Sequence, residues 1–196
     1  MVREGRTPRV FFLGDSITQG LGGRPWKRLE KFAPANLGVS GDWIENVLWR
    51  IDLGMFDLVK PEALVLLIGT NNGGCAPEQR AAGVAAIVRK IQEKSPGTRI
   101  LLYGIFPRGK TWPAEGNGIK DTNALLAKLA DGDRVRYADI AEKFLAADGK
   151  TVRQELFLDG LHPNEKGNGL WVDSLERELP ALMRPAGPAD TNGERR

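Results

Sequence analysis

Apolar residues gather in short blocks along this chain, and the period between blocks changes. Val10–Leu13 and Ala63–Gly69 are nearly continuous apolar runs, each stopped by glycine and small polar residues. Runs of this length bounded by turn signals suit strands covered on both faces. Ala35–Val39, Arg99–Phe106 and Arg134–Ala138 read as three further strands. Between them the spacing becomes helical. Ile44, Val47, Leu48 and Ile51 fall at i, i+3, i+4 and i+7, and Val84, Ile87, Val88 and Ile91 form a second stripe in a helix opened by Pro77 and closed by Ser95, Pro96 and Gly97. Helices are also predicted over Pro25–Phe32, around Leu125, Leu126 and Leu129, and over Glu165–Leu179, with Pro180 bending or ending the last. Asp42, with Glu45 three residues on, is a capping signature for the helix bearing Ile44. Strands alternating with helices predict an α/β fold with a parallel sheet and right-handed crossovers.

Length and composition narrow this only slightly. With 196 residues the chain fits one domain, predicted over residues 1–183, followed by a Pro- and Gly-containing tail, 184–196, expected to be disordered. Its net charge of +3 comes from scattered basic residues, which gives no support for a nucleic-acid partner. No apolar run approaches the ~20 residues that span a bilayer, so stable membrane insertion is not expected. Met1–Pro8 lacks the apolar region of a signal peptide, so a cytoplasmic location follows if the chain is full length. Two counts exclude more. A single cysteine, Cys75, rules out an intrachain disulfide and a multi-cysteine zinc site, and a single histidine, His162, rules out sites built on two or three imidazoles.

Candidate chemistry begins where the first strand ends. Gly14 halts it, Asp15 and Ser16 follow, and a hydroxyl is thereby placed at the C-terminal edge of a parallel sheet, where open α/β folds bind ligands. Serine is equally an ordinary helix cap. Asp15 is expected to hydrogen-bond neighbouring backbone and shape the turn. Near the other end, Asp159 and His162 lie three residues apart on a loop. A carboxylate at that offset can meet Nδ1, fix the tautomer and leave Nε2 to a nucleophile. The plainer alternative is that His162 caps or packs beneath the final helix. Ser16, His162 and Asp159 are thus a candidate triad. The N–H groups of Ser16 and Gly41 and the side-chain amide of Asn71, at the ends of the first three strands, are candidate oxyanion donors. Gly41 as a turn glycine and Asn71 as a turn or capping residue are the plainer readings.

These blocks carry a resemblance. Gly14–Ile17, Gly41 within Asn36–Asp42, Gly69–Asn72 and Asp159–His162 resemble, in order and spacing, the four blocks of the SGNH, or GDSL, hydrolase family. The stretch from Asn36 to Asn72 is similar to platelet-activating-factor acetylhydrolase catalytic subunits and bacterial carbohydrate acetylesterases. The resemblance implies a three-layer α/β/α sandwich, flavodoxin-like, with a five-stranded parallel sheet. It implies Ser16 as nucleophile, Gly41 and Asn71 as oxyanion donors, His162 as base and Asp159 as its orienter, with no metal or organic cofactor. One departure is visible: many relatives have tyrosine where this chain has Asn168, which bears on packing beside the histidine loop.

The substrate expected is a small-molecule ester, with acetyl esters of carbohydrates favoured over phospholipids because no apolar lid stands out; platelet-activating-factor acetylhydrolase-like, lysophospholipase and thioesterase activities are the alternatives within the same chemistry. Trp112, in the Pro107–Gly118 loop at the functional edge, either stacks on substrate or anchors its loop. Trp43 and Trp49 read as core or helix-face residues, and Cys75 as an inert loop thiol. A non-catalytic flavodoxin-like anion-binding module is the alternative from another class. It has no Gly-Lys pair between Gly14 and Gly20 and leaves Asp159–His162 unexplained.

Overall fold

The computed structural model describes residues 7–113 and 118–183. Five parallel strands, β1 (Val10–Gly14), β2 (Pro34–Gly38), β3 (Ala63–Leu67), β4 (Arg99–Tyr103) and β5 (Val135–Ala138), form one sheet in the order β2-β1-β3-β4-β5. β1 pairs with β2 in register Val10 to Pro34 and with β3 in register Val10 to Ala63. The α/β/α architecture is the one expected. The chain steps outward from β1 to β2 and returns across β1 to β3, so the sheet has its topological switch point at β1.

The helices α3 (Ile44–Asp52), α4 (Pro77–Lys94) and α5 (Ile119–Leu126) pack side by side, and α2 (Gly23–Leu29) packs against α6 (Glu165–Leu182). Right-handed crossovers put the first group on one face of the sheet and the second on the other. Every residue of β1 and β3 is buried, which is why both read as unbroken apolar runs. The α4 stripe Val84, Ile87, Val88 and Ile91 is buried as its spacing predicts, each side chain contributing roughly 1.5–3 kcal/mol.

Several expectations are corrected. Asp42 does not cap α3. That helix starts two residues later, where Asn46 Oδ1 accepts from the Trp43 N–H at 2.9 Å and Asn72, from beyond β3, accepts from the Ile44 N–H at 3.1 Å. Glu45 instead accepts from the Asn72 amide. Pro180 lies inside α6 rather than at its end. It leaves the Glu176 carbonyl without a helical donor, but Leu179 and Leu182 are both fully buried and draw the last turn onward. Of the two readings for Trp43 and Trp49 the core one fails, since they are 49% and 61% exposed, while Trp49 lies on the exposed face of α3 as the helix-face reading has it. Two 3-10 turns, Ala141–Phe144 and Gln154–Leu156, follow β5 without any periodic signal in the sequence. The expected tail, and residues 114–117 of the Pro107–Gly118 loop, lie outside the described residues. No helix among the described residues is long and apolar enough to cross a membrane.

Candidate active site

β1 carries Ser16 to the switch point. Gly14 is required there: a Cβ would lie 2.1 Å from the Leu67 carbonyl oxygen and 2.4 Å from Thr18 Oγ1. The next residue, Asp15, is the N-cap of the one-turn helix α1 (Ser16–Gln19), its Oδ1 accepting from the Ile17 N–H at 2.9 Å. Ser16 is therefore the first helical residue and not the cap, and its hydroxyl is free for other work. Asp15 is 1% exposed, and burial raises its pKa to about 6. The α1 turn is tied to β2 through Asn36, whose amide donates to the Thr18 carbonyl at 2.7 Å, and through Gln19, whose side chain accepts from the Ser40 N–H.

The histidine loop folds on itself. Gly160 takes φ +79°, a left-handed turn that lets Asp159 Oδ1 accept from the N–H groups of Leu161 at 3.0 Å and His162 at 2.8 Å. Its other oxygen, Oδ2, meets His162 Nδ1 at 2.7 Å, and His162 Nε2 meets Ser16 Oγ at 2.9 Å. The His162 N–H, then the imidazole and the Leu161 N–H, hold the Asp159 pKa down at about 2. His162 does not cap the final helix. Asn164 does, accepting from the Lys166 and Gly167 N–H groups. The side chains of Asp159, His162 and Ser16 thus form one continuous chain of contacts.

The three candidate oxyanion donors lie on the loops that follow β1, β2 and β3. The N–H groups of Ser16 and Gly41 donate to no protein acceptor among the described residues. Gly41 has φ +79° and nothing within 4 Å of a would-be Cβ, so its glycine is required by backbone conformation and the space in front of it is open. Asn71 Nδ2 donates one hydrogen to the Asp42 carbonyl at 2.8 Å, leaving the second for a ligand. A serine hydroxyl in contact with an imidazole, with unengaged N–H donors on the loops after the first three strands, is an arrangement that suits acyl transfer. Among the described residues no cluster of three or more His, Cys, Asp or Glu side chains could hold a metal.

Trp112 is elsewhere. Its side chain is 9% exposed and belongs to the hydrophobic core, and it borders a cavity with Glu142, Leu145 and Lys150 that none of the triad residues lines. The stacking expectation therefore gains no geometric support, and the loop-anchor reading fits. The aromatic at the serine's edge is Trp43, half exposed and two residues after Gly41. Its offset from the Ile44 stripe was the available signal that it does not face the core. Asn168 is buried and donates to the carbonyls of Gly20 and Pro163, joining α1 to the histidine loop. Cys75 is half-buried and unpaired.

With the geometry in place, comparison with known proteins is decisive. A family model described as the GDSL-like Lipase/Acylhydrolase family matches residues 12–170. The chain belongs to this family. It is 32% identical over 167 residues to the human platelet-activating factor acetylhydrolase IB subunit alpha1, covering 83% of this chain and 71% of that one. It is 35% identical over 162 residues to the chicken alpha2 subunit, covering 80% and 69%. In fold it resembles a GDSL-like lipase from Bacteroides thetaiotaomicron, with TM-score 0.77, 17% identity and 89% of each chain covered. An acetyl xylan esterase aligns with TM-score 0.72 and 22% identity over 86% of this chain and 98% of that one. As a GDSL acylhydrolase the protein is a carboxylic ester hydrolase.

Proposed function

We propose that this acylhydrolase is a serine esterase that removes short, acetyl groups from carbohydrate O-esters through an acyl-enzyme on Ser16. The observation that carries the reading is the unbroken path from Asp159 through His162, at 2.7 Å, to Ser16 Oγ, at 2.9 Å. His162 Nε2 takes the hydroxyl proton as Oγ attacks the ester carbonyl, and Asp159 holds the ring in the tautomer that allows this. The negative charge on the carbonyl oxygen is received by the Ser16 and Gly41 N–H groups and the free Asn71 hydrogen. Collapse expels the alcohol, which takes its proton from the imidazolium. Water, activated by the same imidazole, then releases the acid and restores Ser16.

The acetyl preference draws on relatives named acetylhydrolase and a structural neighbour named acetyl xylan esterase. The carbohydrate preference draws on Trp43, a single half-exposed indole near Gly41 suited to lie against a sugar face. A lipid-ester reading is favoured by Val39 and Leu158, also exposed at this edge. The larger exposed apolar group, Leu53 and Leu58 beside Met55, borders a groove that runs from Pro8 and Phe11 to Leu37 and Arg50 along the β2 edge of the sheet.

Rates on p-nitrophenyl esters from acetyl to octanoyl, measured beside an acetylated sugar and a lysophospholipid, test the reading. Acetyl esters are expected to be cleaved fastest and the acetylated sugar to be deacetylated. Rates that climb with chain length would overturn it in favour of the lipid ester. A serine-directed fluorophosphonate should label Ser16, which a non-catalytic anion-binding module would not permit.

A further inference from the structure

Arg108 carries a charge that acyl transfer at Ser16 does not use. It lies five residues beyond the end of β4, half-buried at the same sheet edge as the triad. Its Nη1 donates to the Thr70 carbonyl at 3.0 Å, and Thr70 immediately precedes Asn71. The following N–H, of Gly109, donates to the Gly160 carbonyl at 2.8 Å, and Gly160 lies between Asp159 and His162. Arg108 is therefore bracketed by the oxyanion loop on one side and the histidine loop on the other.

What distinguishes it is what remains unbound. Arg50, at this edge, is paired with the Asp42 carboxylate. Among the described residues Arg108 has no carboxylate partner, and its Nε and Nη2 donate to no acceptor. Nη1 being occupied, the unengaged side of the guanidinium is the Nε/Nη2 edge, the planar pair of donors that matches two oxygens of a carboxylate or phosphate. A partly desolvated guanidinium gains most from such a partner. Its position bears on which half of the ester it would meet. β3 separates β4 from β1 and β2, so Arg108 lies across Asn71 from Gly41, and its loop is bonded to the loop of the imidazole that protonates the departing alcohol.

We propose that Arg108 forms an anion subsite taking an oxyanionic group, carboxylate or phosphate, carried on the alcohol half of the substrate. This rests on the esterase reading above and narrows it to acetyl esters of acidic alcohols. The source of the anion is open to experiment: a sugar acid supplies a carboxylate, a glycerophosphate a phosphate.

The test compares kcat/KM for matched pairs: O-acetylglucuronate against O-acetylglucose, and acetylglycerol phosphate against acetylglycerol. In the wild-type chain the charged member of at least one pair should be preferred by about tenfold or more, a preference weakened by added salt. Arg108→Gln should bring that ratio down to near one, and Arg108→Lys should restore part of it. If Arg108 only braces Thr70, Arg108→Gln lowers both members equally and the ratio is unchanged, which overturns the subsite. A wild-type ratio at or below one for both pairs also overturns it. Failure to cleave any acetyl ester, neutral p-nitrophenyl acetate included, would instead refute the esterase reading on which the subsite rests.

Discussion

The Asn71 side-chain amide donates to the Asp42 carbonyl at 2.8 Å, locking the loop after β3 to the loop after β2. Two of the three candidate oxyanion donors, Asn71 and Gly41, are thereby set by one hydrogen bond rather than by two independent loops. The unit is braced from below: Asp42 Oδ2 is 2.5 Å from Arg50 Nη2, and Arg50 Nη1 donates to the Leu37 carbonyl at 2.8 Å. Preorganised donors of this kind cost no reorganisation during reaction.

Asn71→Ala is expected to lower kcat by about 10² to 10³ while leaving the fold intact, if its free hydrogen meets the oxyanion. Steady-state kinetics with p-nitrophenyl acetate check this, and a kcat equal to wild type removes Asn71 from the site.

Arg50→Met strips the counter-ion from a largely buried carboxylate and should destabilise the protein by about 3–5 kcal/mol. Urea unfolding measures it; a loss below 1 kcal/mol would mean that the Asp42 charge is adequately solvated without Arg50.

Ser16→Ala should abolish ester hydrolysis and fluorophosphonate labelling with little change in melting temperature, because Asp15, not Ser16, caps α1. Retained turnover would rule out Ser16 as nucleophile.

kcat/KM should fall on acidification while Asp159, held at about 2, stays ionised through the working range. A protonated imidazole cannot accept the Ser16 proton, so activity falls as pH falls. Asp159→Asn, which fails to hold the reactive tautomer, is expected to cost on the order of 10² to 10⁴ in kcat.

Asp15 predicts a stability effect of opposite sign. Its pKa in the folded chain, about 6, is above the ordinary 3.8, so between these values the native state keeps a proton that the unfolded chain has released. Stability from this group is greatest below the lower value, declines as pH rises through the window, and is level above it, a change on the order of 3 kcal/mol. Asp15→Asn keeps an oxygen for the Ile17 N–H and removes the titration. Its stability relative to wild type should be higher at pH 8 than at pH 4; no difference between the two pH values would refute the assignment.

Much of this protein was legible in its residues. Apolar runs and helical stripes gave the order of β and α units, because each buried strand or amphipathic helix must display its burial in its own local period. Ser16, Gly41, Asn71, Asp159 and His162 were each marked by short polar blocks at strand or helix ends, so the candidate site could be named before any contact was known. Tertiary packing decided the rest. The Ile44 N–H at the α3 N-terminus is satisfied by Asn72 from the loop after β3, not by the neighbouring Asp42, because a long-range donor–acceptor match leaves no local spacing to read. Trp112 is buried and Trp43 exposed although both sit in polar loops, since an indole's surroundings are set by what folds over it. Pro180 is held inside α6 by the burial of Leu182, a core contact that outweighs the local preference to stop. The sequence determined which groups are present and in what order they reach the sheet edge. Only the fold decided that Asn71 meets Asp42, that His162 meets Ser16, and that one edge of Arg108 is left without a partner, because those pairings join loops that the chain keeps dozens of residues apart.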